Sequence, residues 1–292
     1  VAGKTAITLL NPDCTGGGAG LCAVLRTPSG KTYLFDTANG QDAAHSNGST
    51  IVIPWLKAHG IRAIDGLVIS HYHADHFGGF LSMWDAFPIK KVFNNNFLPM
   101  DASGRPKHNG ESQIARTALD AFAAAHPGAL VEDVRMGTDL AWNEPGFSAE
   151  LVWPPAEGYV GEIKDRPGYG KNDTIYHHLL NGNANALRVV SGGTVFFLMG
   201  DIQPDYAARY MRAHLERRGK WGCDVRAAGP RHEYGGGAEA HQDDEPRAPG
   251  RDRLAGEPAL DGVLRPDVRA GLRPGRDGRL RHERPRRRHV RP

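Results

Sequence analysis

The sequence predicts a layered α/β fold over residues 1–223, on three observations. Short apolar runs separated by glycine-rich turns fill the first third of the chain. Strand-like runs return beyond residue 148, and amphipathic segments lie between and after the two groups. Each sheet must cover its apolar faces with another layer, so two strand groups with interleaved helices imply stacked layers of α and β.

The elements follow in order. TAITLL (residues 5–10), CAVLRT (22–27) and TYLFDT (32–37) read as strands, separated by glycines 16–18 and by the Pro28-Ser29-Gly30 turn. Residues 49–59 place Ile51, Ile53, Trp55 and Leu56 as a helix packed on a sheet would, and Gly60 ends it. Residues 64–70 form another apolar strand that runs straight into HYHADHFGG. Residues 111–126 are the clearest amphipathic helix, with Ile114, Leu119, Phe122 and Ala123 near helical spacing. Strands are expected again at 149–153, 186–190 and 194–199, and residues 206–217 close the region as a helix. There is no internal repeat.

Composition bounds the function classes. At 292 residues and 40% apolar content, the chain can form one large domain or two small ones with a sizeable core. No apolar run approaches the length of a transmembrane helix, so no membrane segment is expected. No signal peptide is recognisable, and the chain begins at Val1 rather than Met, which leaves localisation open. Cys14, Cys22 and Cys223 form no metal-type cluster and no disulfide framework. The net charge of +3 is split unevenly: residues 1–223 carry 20 basic against 21 acidic side chains, and residues 224–292 carry 16 against 12. The body is near neutral, which argues against a nucleic-acid-binding surface on it and leaves nucleic acid only as a substrate.

Residues 224–292 form a separate Arg/Pro/Gly-rich tail. Ile, Met, Thr, Asn, Lys, Ser, Phe, Cys and Trp are all absent from it. Arg/Pro-rich disorder is one reading, but disordered tails are ordinarily rich in Ser, Lys and Thr as well. What remains is encoded almost wholly by codons beginning with G or C, the alphabet that a GC-rich gene yields in a shifted frame. A frameshift near residues 223–231 is therefore expected, with the C-terminal part of the fold incomplete. Missing strands would expose apolar surface and unpaired edges, so low solubility and stability are expected too.

His71-x-His73-x-Asp75-His76 is the strongest chemical signal. Imidazole nitrogens with some carboxylate suit Zn²⁺, and Mn²⁺ or Fe²⁺ fit the same ligands. Two histidines two apart at the end of a strand can bind one ion from one side, and Asp75 and His76 can face a second. A lone histidine is more often structural; four potential ligands within six residues after an apolar strand point to metal. Gly78-Gly79 lets the backbone turn sharply afterwards. GGGAG at 16–20 lacks the Lys-Ser/Thr of a phosphate loop and reads as a turn.

SHYHADHFGG resembles the signature of the metallo-β-lactamase superfamily, and the resemblance extends over roughly residues 5–223. It implies an αββα four-layer sandwich with two metal ions at one edge of the sheets. LFDTANG (34–40) is similar to the family's strand ending in Asp-Thr-Gly, with Ala38-Asn39 preceding the glycine here, and implies that Asp36 supports the metal loop. VFFLMGDI (195–202) resembles the strand whose Gly-Asp carboxylate bridges the metals, which makes Asp201 the bridging candidate; alone, such an Asp is commonly a helix cap. The phrasing of LCAVLRTPSGKTYLFDTANG and NANALRVVSGGTVFFLMGD is similar to the metallo-β-lactamase domain of ComEC-type DNA-uptake proteins and their soluble relatives.

In many members of that branch an Asn-rich stretch stands where others place a further His. Asn183 and Asn185 occupy it here, with His177 and His178 just upstream; His178 is a further ligand candidate, and its alternative is a surface or supporting histidine. The family also supplies a His on a loop soon after the Gly-Asp strand and its helix. This chain reads DVRAAGPRHEYGGG there, with His232 in the wrong setting. Written as GGG CCA CGG CAT, residues 229–232 become Gly-His-Gly on a one-base shift. The resemblance implies a metal-dependent, di-zinc hydrolase. A metal-activated hydroxide would attack a small-molecule or phosphodiester substrate, with the phosphodiester weakly preferred and Asp75 orienting the water. The competing expectation is a truncated, non-catalytic metal-binding domain that lacks the C-terminal His ligand.

Overall fold

The computed structural model describes residues 3–10, 20–95, 97, 110–156, 158, 179–202, 207–220, 222 and 224–227. Six strands form the first sheet in sequence order: β1 (Ala6–Leu10), β2 (Cys22–Arg26), β3 (Thr32–Phe35), β4 (Gly66–Val68), β5 (Lys91–Asn94) and β6 (Leu130–Asp133). β1 to β3 run antiparallel and β3 to β6 parallel. Parallel neighbours need a crossover. Helix α1 (Ile53–Ala58) lies between β3 and β4, the short helices α2 (Ala74–Phe77) and α3 (Phe80–Met83) between β4 and β5, and α4 (Gly110–Ala125) between β5 and β6. In the second sheet β7 (Phe147–Trp153), β8 (Ala186–Ser191) and β9 (Thr194–Leu198) are antiparallel. Helix α5 (Ala207–Arg217) then precedes β10 (Val225–Ala227), which pairs parallel with β9.

Three cores separate four layers. Because successive strand residues face opposite sides, Cys22 and Val24 of β2 join Leu34, Leu67 and Val92 in a core shared with Leu56, Phe80, Leu119 and Phe122 of the helices. Their neighbours Ala23, Leu25, Phe35, Val68 and Phe93 turn the other way. They meet Phe147, Ala149, Leu151, Leu187, Val189 and Leu198 of the second sheet. The outer face of that sheet, with Trp153, Ala186 and Phe197, packs on Met211 and Leu215 of α5. The order is helices, sheet, sheet, helix, so the expected αββα sandwich is present among the described residues. Fully burying one such Leu or Phe contributes about 1.5–3 kcal/mol.

Some elements differ from the sequence-based expectation. The helix expected at 49–59 opens as a π-helical turn at Gly48–Val52 and becomes α-helical at Ile53, where Pro54 sits in the first turn that tolerates it. The strand expected at 64–70 closes at Val68. Beyond it Ser70 gives its N–H to the Asp36 side chain at the end of β3 and its carbonyl accepts from the Asn185 N–H just before β8, so its backbone groups leave the ladder. β5 and β6 were not expected; each has four residues, and β6 has no fully buried position to reveal a period. No helix among the described residues is long and apolar enough to cross a membrane. Of the tail expected at 224–292, residues 224–227 are described and Val225–Ala227 pair as β10, a strand not expected there; residues 228–292 lie outside the described residues.

Candidate metal centre

The histidine loop leaves β4 and the Asp201 segment leaves β9, so the two halves of the site come from different sheets. Their approach depends on Gly200. A Cβ there would meet the Ser70 Cβ and Oγ, both at 2.9 Å, and its φ of 55° suits glycine. Gly79 serves the other side: a Cβ on it would strike the Thr37 carbonyl oxygen, so only a bare backbone lets the chain turn back under the end of β3. Thr37 Oγ1 caps this approach by donating to the His76 carbonyl at 3.1 Å and accepting from the Phe80 N–H at 3.0 Å.

Five side chains converge. His71, His73, His76 and Asp201 are buried, and Asp75 is half-buried. Donor atoms of His71, His73 and Asp201 lie within 4.8 Å of one another, as do those of Asp75, His76 and Asp201. Asp201 belongs to both sets. His71 Nε2 is 2.8 Å from His73 Nδ1, and His76 Nε2 is 3.2 Å from Asp201 Oδ1 and 3.7 Å from Asp75 Oδ2. A His/Asp cluster of this kind can hold a divalent metal.

Asp36 closes the cluster from behind. Its carboxylate, wholly buried, accepts the Ser70 N–H at 2.6 Å, the Ser70 hydroxyl at 2.7 Å and His76 Nδ1 at 2.7 Å. Burial pushes the Asp36 carboxyl up, against the His76 charge and these hydrogen bonds. Burial alone would push the His76 ring down. The carboxylates of Asp201, Asp75 and Asp36 outweigh it and hold the ring well above the ordinary imidazole range. The backbone at Asp36 is itself left-handed, at φ 61°, as is Ala38 at φ 68°.

The structure therefore brings His71, His73, Asp75, His76, Asp201 and Asp36 together. His178, the remaining ligand candidate, lies outside the described residues, as do His177 and His232. Sequence reasoning passed over Ser70 and Asn95. The Asn95 Nδ2 donates to the Ser70 carbonyl at 2.7 Å and to the Asn183 carbonyl at 2.5 Å. Asn185 adds its N–H to Ser70 O and its Nδ2 to Ile69 O. Asn183 Nδ2 instead donates to the Leu179 carbonyl at 2.8 Å. The only available signals were the Ser immediately before the motif and the run of asparagines after β5.

A four-layer sandwich with a His/Asp cluster beyond the ends of strands from both sheets is a scaffold that can hold divalent metal. The chain belongs to the metallo-beta-lactamase superfamily, whose family model matches residues 15–202. Members of that superfamily bind divalent metals and include hydrolases. Among curated proteins the chain resembles the competence protein ComA of Neisseria gonorrhoeae, 26% identical over 185 residues. That match spans 63% of this chain but 19% of ComA, and supports the ComEC-like relationship. The uncharacterized protein YcaI of Escherichia coli (strain K12) is 36% identical over 72 residues, 25% of this chain and 9% of that protein. The chain thus spans a small part of either relative. Distant likeness extends to the metallo-beta-lactamase of Hirschia baltica, at TM-score 0.38 and 12% identity over 77% of this chain and 84% of that one. A Cronobacter sakazakii metallo-beta-lactamase with a HARLDQ motif gives TM-score 0.40 and 18% identity over 72% and 75% of the two chains. The dizinc quorum-quenching lactonase AidC gives 0.37 and 16% over 63% and 56%.

Proposed function

We propose that this chain is a metal-dependent hydrolase of the di-zinc type, with His71, His73 and Asp201 serving one ion and Asp75, His76 and Asp201 the other. The observation that carries the reading is the pair of donor sets sharing one carboxylate. The residues also fit the group chemically. His76 Nε2 and Asp201 Oδ1 are buried and have each other, at 3.2 Å and outside good hydrogen-bond geometry, a place that a shared cation would fill. His76 meanwhile commits its other ring nitrogen to a buried carboxylate, as metal-binding histidines commonly do. Zn²⁺ is favoured by the mixture of imidazole and carboxylate.

Divalent ions held there would supply Lewis acidity toward a carbonyl or phosphoryl oxygen and lower the pKa of a bound water. Asp75 is the most exposed of the five donors, and its carboxylate would accept a hydrogen bond from the attacking water and orient it. The buried histidines exclude bulk water from the other side. No serine or cysteine nucleophile is required. A phosphodiester is the preferred substrate class, on the relationship to a competence protein; a small-molecule ester, lactone or lactam is the alternative.

The test is metal analysis of the purified chain followed by hydrolysis of bis(p-nitrophenyl) phosphate, a lactone and a chromogenic β-lactam. Zinc-dependent turnover of the phosphodiester that Asp201→Ala abolishes is the expected result. Stoichiometric zinc without turnover of any of the three would favour a second reading, a non-catalytic metal-binding domain. That reading draws on one observation: after β10 the sequence runs AGPRHEYGGG and supplies no Gly-His loop.

A further inference from the structure

We infer that Ser70 is a positioning residue whose hydroxyl, with the Asp36 carboxylate, selects the ring nitrogen that one histidine in each donor set presents to metal. The inference rests on the reading of His71 and His76 as ligands and deepens it. A hydroxyl has one proton to give. Ser70 Oγ gives it to Asp36 Oδ2 at 2.7 Å, since a carboxylate can only accept. The hydroxyl oxygen, 2.9 Å from His71 Nδ1, must then accept, which places the proton of His71 on Nδ1 and leaves the Nε2 lone pair facing His73. The same Asp36 Oδ2 accepts from His76 Nδ1 at 2.7 Å, much shorter than the 3.3 Å from that nitrogen to Ser70 Oγ. His76 Nε2 is thereby left facing Asp201.

Two rings in two donor sets thus take their orientation from one hydroxyl–carboxylate unit. The unit is fixed from every side. Ser70 N–H binds Asp36 Oδ1, while the Ser70 carbonyl accepts from Asn95 Nδ2 and the Asn185 N–H. Ser70, Asp36, Asn95 and Asn185 are all buried, so water cannot substitute for a missing partner. Removing the hydroxyl alone leaves the backbone bonds in place, and its effect falls on His71.

The experiment compares wild type, Ser70→Ala and Ser70→Thr by two readouts that do not involve activity. In metal-free protein the buried His71 Nδ1–H should give a slowly exchanging downfield proton signal, lost in Ser70→Ala and retained in Ser70→Thr. In cobalt titrations followed by visible absorption, Ser70→Ala should weaken one binding step about 10–100-fold and leave the other nearly unchanged, with Ser70→Thr close to wild type. Persistence of the His71 signal and of both steps in Ser70→Ala would overturn the inference and leave the ligand assignment standing. Wild-type protein that takes up no cobalt removes the ligand assignment, and the inference with it.

Discussion

His76 Nδ1 and Asp36 Oδ2 stand 2.7 Å apart with both side chains fully buried, and this pair ties the histidine loop to the end of β3. Replacing Asp36 by Ala strands three donors at once: His76 Nδ1, the Ser70 N–H and the Ser70 hydroxyl. Breaking a buried pair by deleting one partner costs about 3–5 kcal/mol. Urea unfolding of metal-free Asp36→Ala should therefore show a loss of that size, and a loss below about 1 kcal/mol, the range of an exposed pair, would refute the structural role.

The same pair sets a pH dependence. His76 titrates well above the ordinary imidazole range in the folded chain, because three carboxylates outweigh its burial. Its contribution to stability is fully present below the unfolded histidine pKa of about 6.5 and is lost as pH rises through the higher folded value. Asp36, raised by burial, has the same sign. With chelator present, the urea midpoint should fall as pH increases above neutrality. With zinc the trend should reverse, because metal must displace the His76 proton and binds more tightly as that proton leaves. Calorimetric zinc titrations in two buffers of different ionisation enthalpy should reveal net proton release.

Gly79 and Ala38 make a contrasting pair in the adjoining backbone. Gly79 has an ordinary helical φ of −61°, and what it needs is space, since a Cβ would strike the Thr37 carbonyl. Overpacking of this kind typically costs about 1–3 kcal/mol. Ala38 has the opposite problem, a left-handed φ of 68° that costs an L-residue about 1–2 kcal/mol. Thermal melts should show Gly79→Ala clearly destabilised and Ala38→Gly at or above wild-type stability.

Much of this was legible in the sequence, for physical reasons. The cluster His71–His76 is local, so spacing alone revealed it, and the apolar strands before Asp36, His71 and Asp201 announced where each would emerge. What stayed hidden depends on partners far along the chain. Ser70 looks like any polar residue until Asp36, Asn95 and Asn185 close on it, 34, 25 and 115 positions away. β5 (KVFN) and β6 (LVED) escaped because each holds only two apolar residues beside charged or polar ones, where Tyr33-Leu34-Phe35 marked β3 and Leu67-Val68-Ile69 marked β4. The place where Ala38 takes the left-handed conformation could be suspected, since the matching family turn carries glycine.

β10 sharpens the expectation about the reading frame. Val225, Arg226 and Ala227 pair in register with Phe196, Phe197 and Leu198, so the chain still behaves as part of the second sheet at residue 227. The frameshift expected near residues 223–231 is therefore best sought in the codons on either side of Ala227. Immediately beyond lies Ala228-Gly229-Pro230-Arg231-His232, whose permitted one-base shift restores Gly-His-Gly directly after an edge strand. A histidine delivered there would follow a strand that pairs parallel with β9, the strand whose end leads to Asp201. Sequencing the DNA across codons 215–240 should show a frame that continues β10 into a Gly-His loop followed by alternating apolar strands. The repaired chain should then bind cobalt more tightly than the present one, and its gain should vanish when the restored histidine is changed to alanine. If no frame supplies that loop, the Arg/Pro/Gly-rich stretch is the chain's own. The donors are then His71, His73, Asp75, His76 and Asp201, and the expected outcome is weak metal binding with little hydrolysis.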